Sequence, residues 1–286
     1  MRRWSFTPDR IGAVTREDAS PGVSTAPAAT LLTHADTAGL GVLHIDHPDG
    51  AFGPSPATRV AVRCIGQRRE LLRGVGVDWG CGPGTLAIAA ARLPDVSLVF
   101  GLDLNPINVA AAAVNAVVNG VSTKARFAVA DSFTPADPIT AARLVEYAGR
   151  LDFVVANPPA SLGDDGFSYR RKVLADGQGF LRTGGVVFLS VSQQYGRGRV
   201  DELQLGGAYR ALGVLASSEL TSFDLTRADL LENLRDFRTE EARGGPVYEF
   251  PTADGPSLTA TETLAHFNAT GESPLTRWRV VGFERV

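Results

Sequence analysis

Apolar and polar positions fall in blocks along this chain, and from position 56 the blocks take a strand–helix rhythm. Pro56 to Leu72 sets Val60, Val62, Ile65, Leu71 and Leu72 between arginines and predicts a helix that Gly74 ends. Val75 to Asp78 is a short apolar run of strand type, and Thr85 to Leu93 is an Ala-rich helix. Val96 to Asp103 predicts a second strand, Pro106 to Val118 a helix closed by Asn119-Gly120, and Ala125 to Ala130 a third strand. Pro138 to Ala148 reads as helix, Leu151 to Ala156 as a fourth strand, Tyr169 to Leu181 as helix, and Val186 to Val191 as a fifth strand. Strands that are continuous apolar runs, alternating with helices, imply a parallel sheet covered on both faces. The right-handed crossover rule then gives an α/β, doubly wound fold.

The two ends depart from this rhythm. Residues 1–55 are punctuated by Ala19-Ser20-Pro21-Gly22, Pro27 and the stretch from Gly39 to Pro54, so no long element fits, and Val42 to Ile45 reads as one short strand. Beyond the fifth strand, Val200 to Leu212 reads as helix and Val214 to Phe223 as strand. Arg277 to Glu284 is a final strand rich in β-branched and aromatic residues. The division predicted is an N-terminal segment over 1–55, a core over 56–225, an insertion over 226–275 with a helix near Ala228 to Phe237, and a last core strand over 276–286. The insertion also holds Leu230, Leu231, Leu234, Tyr248, Phe250 and Phe267, a composition that predicts a packed lid over the substrate rather than a disordered loop.

Composition narrows the classes. With 286 residues, 44% hydrophobic and 21% charged, the chain can bury a sizeable core. No apolar run approaches the ~20 residues of a membrane-spanning helix, and no apolar stretch of secretory type follows Met1-Arg2-Arg3. Two cysteines make no disulfide framework, and four scattered histidines share no metal-ligand spacing. A reduced, cytoplasmic protein without a metal site is the expectation. Lys+Arg 28 against Asp+Glu 31 leaves a net charge of −3, which argues against a partner with a long phosphate backbone unless a local basic patch serves it.

The chemistry concentrates at the predicted strand ends, where ligands sit in open α/β sheets. The first strand runs into Asp78-Trp79-Gly80-Cys81-Gly82-Pro83-Gly84. Glycines there let the backbone take positive φ and approach a ligand closely. Thr85 stands where a dinucleotide fingerprint needs glycine or alanine, and Pro83 has no N–H for a pyrophosphate, so the loop suits a nucleoside without phosphates. Cys81 is read as a small packed side chain of that loop. Asp103 ends the second strand, where a carboxylate can accept from both ribose hydroxyls, with Leu104 next to it. Asp131 ends the third, and Ser132-Phe133 follows; this places an acceptor for an adenine amino group beside an aromatic surface.

The fourth strand opens into Asn157-Pro158-Pro159-Ala160. Two prolines stiffen the backbone and free their carbonyls for a ligand. The Asn157 oxygen and the Pro158 carbonyl can both accept from an NH₂ group, which points the nitrogen lone pair at an electrophile.

With these residues in view, the chain resembles the class I S-adenosylmethionine-dependent methyltransferases over about 56–225 plus the last strand. Asp78, Gly80, Cys81, Gly82 and Gly84 look like their first motif, Asp103 and Leu104 like the ribose site, and Asp131, Ser132 and Phe133 like the adenine site. The resemblance implies a seven-stranded, mostly parallel sheet with an antiparallel last strand inserted beside strand five. Asn157-Pro158-Pro159 resembles the amino-methyltransferases that act on base amino groups or on the glutamine amide of release factors. Asp165 to Arg170 and Leu181 to Gly185 look like the glutamine enzymes. The resemblance departs at Ala160, where the family has an aromatic residue, which leaves Phe167 or Tyr169 to stack on a planar acceptor. Strand five also lacks the acidic residue of the glutamine enzymes, and 226–275 is extra.

The expected function is therefore N-methylation of a small molecule or protein side chain. Asn157 and Pro158 are catalytic in this reading, Asn157 also borders the cofactor, and Pro159, Ala160, Phe167 and Tyr169 face the acceptor. Methylation of a nucleic-acid base, RNA before DNA, is the alternative; base flipping calls for a stacking residue and a basic surface. A non-catalytic nucleoside-binding module is the other, and the intact Asn-Pro-Pro argues against it. Oligomeric state is not readable from the sequence.

Overall fold

A computed structural model describes residues 28–49, 51, 53–161, 163–253 and 255–286. Arg2-Arg3, read from the sequence as a solvated face, and Trp4 with Phe6, read as packing the N-terminus down, lie outside the described residues. The chain begins with an antiparallel hairpin, β1 (Ala28–Leu32) and β2 (Leu43–His47). Helix α1 (Pro56–Gln67) follows, its start fixed by a capping box in which Ser55 and Thr58 satisfy each other's backbone N–H groups and by Pro56 in the first turn.

Then come β3 (Gly74–Trp79), α2 (Thr85–Ala91), β4 (Val96–Asp103), α3 (Pro106–Val118), β5 (Ala125–Asp131), the two-residue β6 (Thr134–Pro135), α4 (Pro138–Val145), β7 (Leu151–Ala156), α5 (Ser168–Gly177) and β8 (Leu181–Ser192). The chain ends with α6 (Gly196–Glu202), β9 (Tyr209–Ser217), β10 (Thr221–Ser222), α7 (Ala228–Ala242), α8 (Ala260–Thr270), β11 (Leu275–Thr276) and β12 (Trp278–Arg285).

The sheet order is β6-β5-β4-β3-β7-β8-β12-β9. Strands β5, β4, β3, β7 and β8 run parallel. Strand β12 enters antiparallel between β8 and β9, Val281 opposite Leu189 and Val214. Seven long strands, the inserted last strand among them, are as the sequence implied; β6 adds a short eighth at the edge. The order reverses between β3 and β7, so the ligand crevice lies over the ends of these two strands, where Trp79 pairs with Ala156.

Both faces are covered. One apolar cluster joins α1, α2 and α3 to the sheet through Val62, Ile65, Ile88, Val99, Phe153 and Val155. The other joins α5 and the insertion to it through Val154, Phe167, Val173, Leu189, Tyr195 and Phe237.

The sequence reading needs correction at three places. The helix expected to run from Val200 to Leu212 stops at Glu202, because Gly206 and Gly207 take φ of 65° and 98° and the chain re-enters the sheet at Tyr209. The strand expected at Val214 to Phe223 is accordingly β9, earlier in the chain. Within 226–275 a second helix, α8, has its own capping box from Thr259 and Glu262. The base of the insertion is closed by β10 pairing with β11. Its apolar residues Leu234, Phe237, Tyr248 and Phe250 are buried in the same cluster as the sheet, so the described part of the insertion packs against the core.

Candidate active site

The glycine loop after β3 shows what each glycine is for. Gly80, Gly82 and Gly84 have φ of 67°, 52° and 87°, the left-handed region that side chains resist. At Gly80 and Gly82 a Cβ would meet nothing within 4 Å, so the loop has open space on its outer side; at Gly84 a Cβ would lie 2.9 Å from Ala112 Cβ. The loop's donors are spent inside the protein. Gly80 and Cys81 donate to the Leu102 carbonyl (2.8 and 3.0 Å), and Gly82 donates to Asp103 Oδ2 (2.8 Å). A phosphate would find few free N–H groups here, in keeping with the nucleoside reading. Cys81 is buried, and desolvation together with the charges of Asp78 and Asp103 pushes its thiol well up, so it is inert packing.

Asp78 is buried at 1% exposure. Its Oδ2 accepts from Ala87 N–H (2.8 Å), while Oδ1 has no hydrogen-bond partner among the described residues. Desolvation pushes this carboxyl up to about 7, the Ala87 N–H opposing and the Asp103 charge adding. Asp103 is anchored from three sides, by Gly82, by Asn105 N–H (2.8 Å) and by Asn108 Nδ2 (3.0 Å), and Leu104 beside it is 69% exposed. Asp131 stands open at the end of β5, with Lys172 Nζ at 3.8 Å. Ser132 takes φ of 55° and accepts from Trp79 Nε1 (2.8 Å).

Phe133 departs from the expectation. Its ring is buried and stacked on Phe180 (centroids 4.9 Å apart), so it is a core residue and offers no face to an adenine. Its apolar neighbours simply bury it more completely than a strand-end position suggests.

Asn157, at the end of β7, is half-buried, and its Nδ2 donates to Thr58 Oγ1 (3.1 Å). Thr58 Oγ1 in turn accepts from Ser55 N–H (3.2 Å) and lies 3.0 Å from Ser55 Oγ. The capping box of α1 holds the Thr58 hydroxyl in place, and the Asn157 amide turns its NH₂ toward it, with Oδ1 free of protein donors among the described residues. The Pro158 and Pro159 carbonyls, expected to be open to a ligand, instead accept from Arg170 (3.1 and 3.2 Å). Arg170 reaches them because α5 starts just after the loop and points its side chain back under it.

Pro159 is exposed and Ala160 half-buried, as surface facing an acceptor needs. Phe167 is not: it is fully buried, packed on Tyr195 (4.9 Å) and under the Arg170 guanidinium. Tyr169 is 41% exposed, its ring 6.4 Å from Trp79, and it is the aromatic residue that stands at the crevice. Sequence reasoning missed Thr58 and Arg170. Ser55-Pro56-Ala57-Thr58 does carry a capping signature, but its contact with Asn157 spans 99 residues. Among the described residues no group of three or more His, Cys, Asp or Glu is placed to hold a metal ion, and no helix is long and apolar enough to cross a membrane.

Comparison with known proteins bears on this region. Residues 42–161 match the family model described as ribosomal protein L11 methyltransferase (PrmA). That span runs from β2 through the glycine loop to the Asn157 loop, and takes in Thr58. The ribosomal protein L11 methyltransferase of Dechloromonas aromatica (strain RCB) is 40% identical over 112 residues, 38% of this chain and 32% of that protein. The 4-amino-L-phenylalanine/4-methylamino-L-phenylalanine methyltransferase of Streptomyces pristinaespiralis is 34% identical over 139 residues, 46% of this chain and 42% of that protein. The matches thus span less than half the length of either relative. In fold, the chain is similar to the crystal structure of the M. jannaschii tRNA m1G37 methyltransferase, with a TM-score of 0.50 at 12% identity over 91% of this chain and 55% of that one. In strand order, glycine loop and the matched span, the core is similar to methyltransferase domains of the class I, S-adenosylmethionine-dependent type.

Proposed function

We propose that the protein methylates a nitrogen that reaches the site as a neutral amino or amide group, on a small molecule or a protein side chain. The observation that carries this reading is the fixed Asn157 amide, whose NH₂ is committed to Thr58 and whose Oδ1 is left for an acceptor N–H. S-adenosylmethionine, when bound, supplies an electrophilic methyl group. The chain's own groups suit it: open space beside Gly80 and Gly82, the anchored Asp103 for the ribose hydroxyls, Asp131 with Ser132 for the adenine edge, and the unpartnered Asp78 Oδ1 for an ammonium.

On the acceptor side, Asn157 Oδ1 accepts one N–H, which turns the lone pair of the same nitrogen toward the crevice. This lone pair would take the methyl group of the bound cofactor, whose sulfur would keep the electron pair of the broken S–C bond. The nitrogen carries a positive charge until a proton leaves to water, so no strong base is needed. Orientation of this kind contributes roughly 7–11 kcal/mol in favourable cases. Tyr169 supplies an exposed ring beside Trp79, and Pro159 and Ala160 the remaining surface.

Both relatives are methyltransferases, one of a ribosomal protein and one of 4-amino- and 4-methylamino-L-phenylalanine; the second name supports an amino nitrogen as acceptor, and the pair leaves both acceptor sizes in play. The test is a transfer assay with methyl-labelled cofactor against cell extract separated into small molecules, protein and RNA. Label in the protein or small-molecule fraction is expected. Label confined to RNA would overturn the acceptor class, and absence of both label and cofactor binding would overturn the activity.

A further inference from the structure

The Asn157-Pro158-Pro159 segment poses a mechanical problem. Its prolines have no N–H, so the backbone there cannot be tied down by donating hydrogen bonds; only its carbonyls can be held. Arg170 holds them. Its Nη2 donates to Pro158 O (3.1 Å), Nη1 to Pro159 O (3.2 Å) and to Gly166 O (3.2 Å), and Nε to Ser190 O on β8 (3.1 Å). The side chain is 4% exposed, and the guanidinium lies 4.9 Å from the Tyr195 ring centroid. Tyr195 Oη also donates to Gly166 O (3.0 Å). The nearby carboxylate of Asp165 is engaged by Arg171 and Arg199, and every hydrogen bond that Arg170 makes among the described residues goes to a carbonyl.

A buried cation serving only carbonyls is a costly way to fill a core. A planar fork with five donors is, however, the one side chain that can grip several carbonyls in fixed geometry. We infer that Arg170 is a positioning residue for methyl transfer: by gripping the Pro158 and Pro159 carbonyls against β8 it sets the place of the Asn157 side chain, without touching the reacting atoms. This inference rests on the proposed methyl transfer for its kinetic consequence but not for its structural one.

The test compares wild type with Arg170→Met and Arg170→Lys in the full chain. Three quantities are read: cofactor affinity by calorimetry, kcat and KM for the labelled acceptor per cofactor-binding site, and hydrogen exchange of amides from Gly163 to Ser168. Arg170→Met should leave cofactor affinity within about twofold, lower kcat by roughly 10²-fold, the scale of a 1 Å misplacement, and speed exchange at Gly166 to Ser168 while β3–β5 amides stay slow. Arg170→Lys, which keeps one charge and fewer directed donors, should fall between. If Arg170→Met does not fold, Tyr195→Phe, which removes only the second donor to Gly166, should give the same pattern in smaller measure. Unchanged loop exchange overturns the inference whatever the activity. Faster exchange with unchanged kcat overturns the positioning role. A wild-type protein that transfers no methyl would instead sink the proposed function, and the loop exchange would still decide whether Arg170 is the clamp.

Discussion

The two sides of the crevice are built differently. On the cofactor side, most contacts that shape the site are shorter in sequence: Asp103 is held by Asn105 and Asn108, two and five residues on, and by Gly82, 21 residues back, and Asp78 by Ala87, nine residues on, while the longest, Trp79 to Ser132, spans 53. On the acceptor side, contacts reach across the chain. Asn157 is set by Thr58 across 99 residues, the Asp165 carbonyl accepts from Tyr248 Oη across 83, and Gly163 N–H reaches Asp236 across 73. A site built from local turns can be carried unchanged among proteins with different surroundings. A site built from distant contacts depends on what each chain adds around its core, here α6, α7 and the segment to Phe250. The family match takes in the Thr58–Asn157 pair and ends at residue 161, before the contacts of Gly163 and Asp165 with Asp236 and Tyr248.

The largest effect that would sharpen this contrast is in stability. The raised carboxyl of Asp78 means that the folded state holds a proton there which the unfolded chain has released, between its ordinary value of 3.8 and about 7. The apoprotein should therefore lose stability as pH rises through that window, by at most about 4 kcal/mol, and change little from this source above it. Asp78→Asn should flatten that slope and raise the apoprotein melting temperature at pH 7.5. Parallel melting curves of wild type and variant between pH 4.5 and 8 check this; equal slopes would mean that Asp78 has an unseen cationic partner. Saturating cofactor should diminish the wild-type slope.

Next is catalysis without binding. Asn157→Ala should cut kcat by about 10²-fold and leave cofactor affinity nearly unchanged. Equal losses in both would erase the division between the two sides. The converse variant, Asp103→Ala, should weaken cofactor binding by about 1.5–3 kcal/mol, the range for a charge-assisted hydrogen bond, with calorimetry as the readout. Because Asp103 also anchors Gly82, slower turnover with normal binding would assign it to the loop alone.

The smallest effect tests the link across 99 residues. Thr58→Val keeps the shape and removes the hydroxyl, so the Asn157 amide is free to turn over. Turnover should fall roughly tenfold, about one hydrogen bond's worth, with cofactor affinity intact. No change would show that the Asn157 amide is oriented by something else.

The sequence by itself determined the alternation of strands and helices, because buried parallel strands must be apolar throughout and each covering helix must show one apolar face. Strands β4 and β7 and helix α3 lie where the pattern puts them, residue for residue. The glycine loop was legible too, since positive φ at three alternate positions leaves little choice of residue. What the pattern could not give was direction. Phe133 and Phe167 follow strand ends and loops just as a ring-stacking residue would, yet neighbours from Phe180, Tyr195 and the insertion bury both. Burial of a side chain depends on what packs over it, and that is decided by segments far away in the chain. The same holds for Thr58, Arg170 and the Pro158 carbonyl. Hydrogen bonds between remote residues leave no periodicity and no spacing to read, so only the folded arrangement decided which polar atoms were committed within the protein and which, like Asn157 Oδ1, find no donor among the described residues.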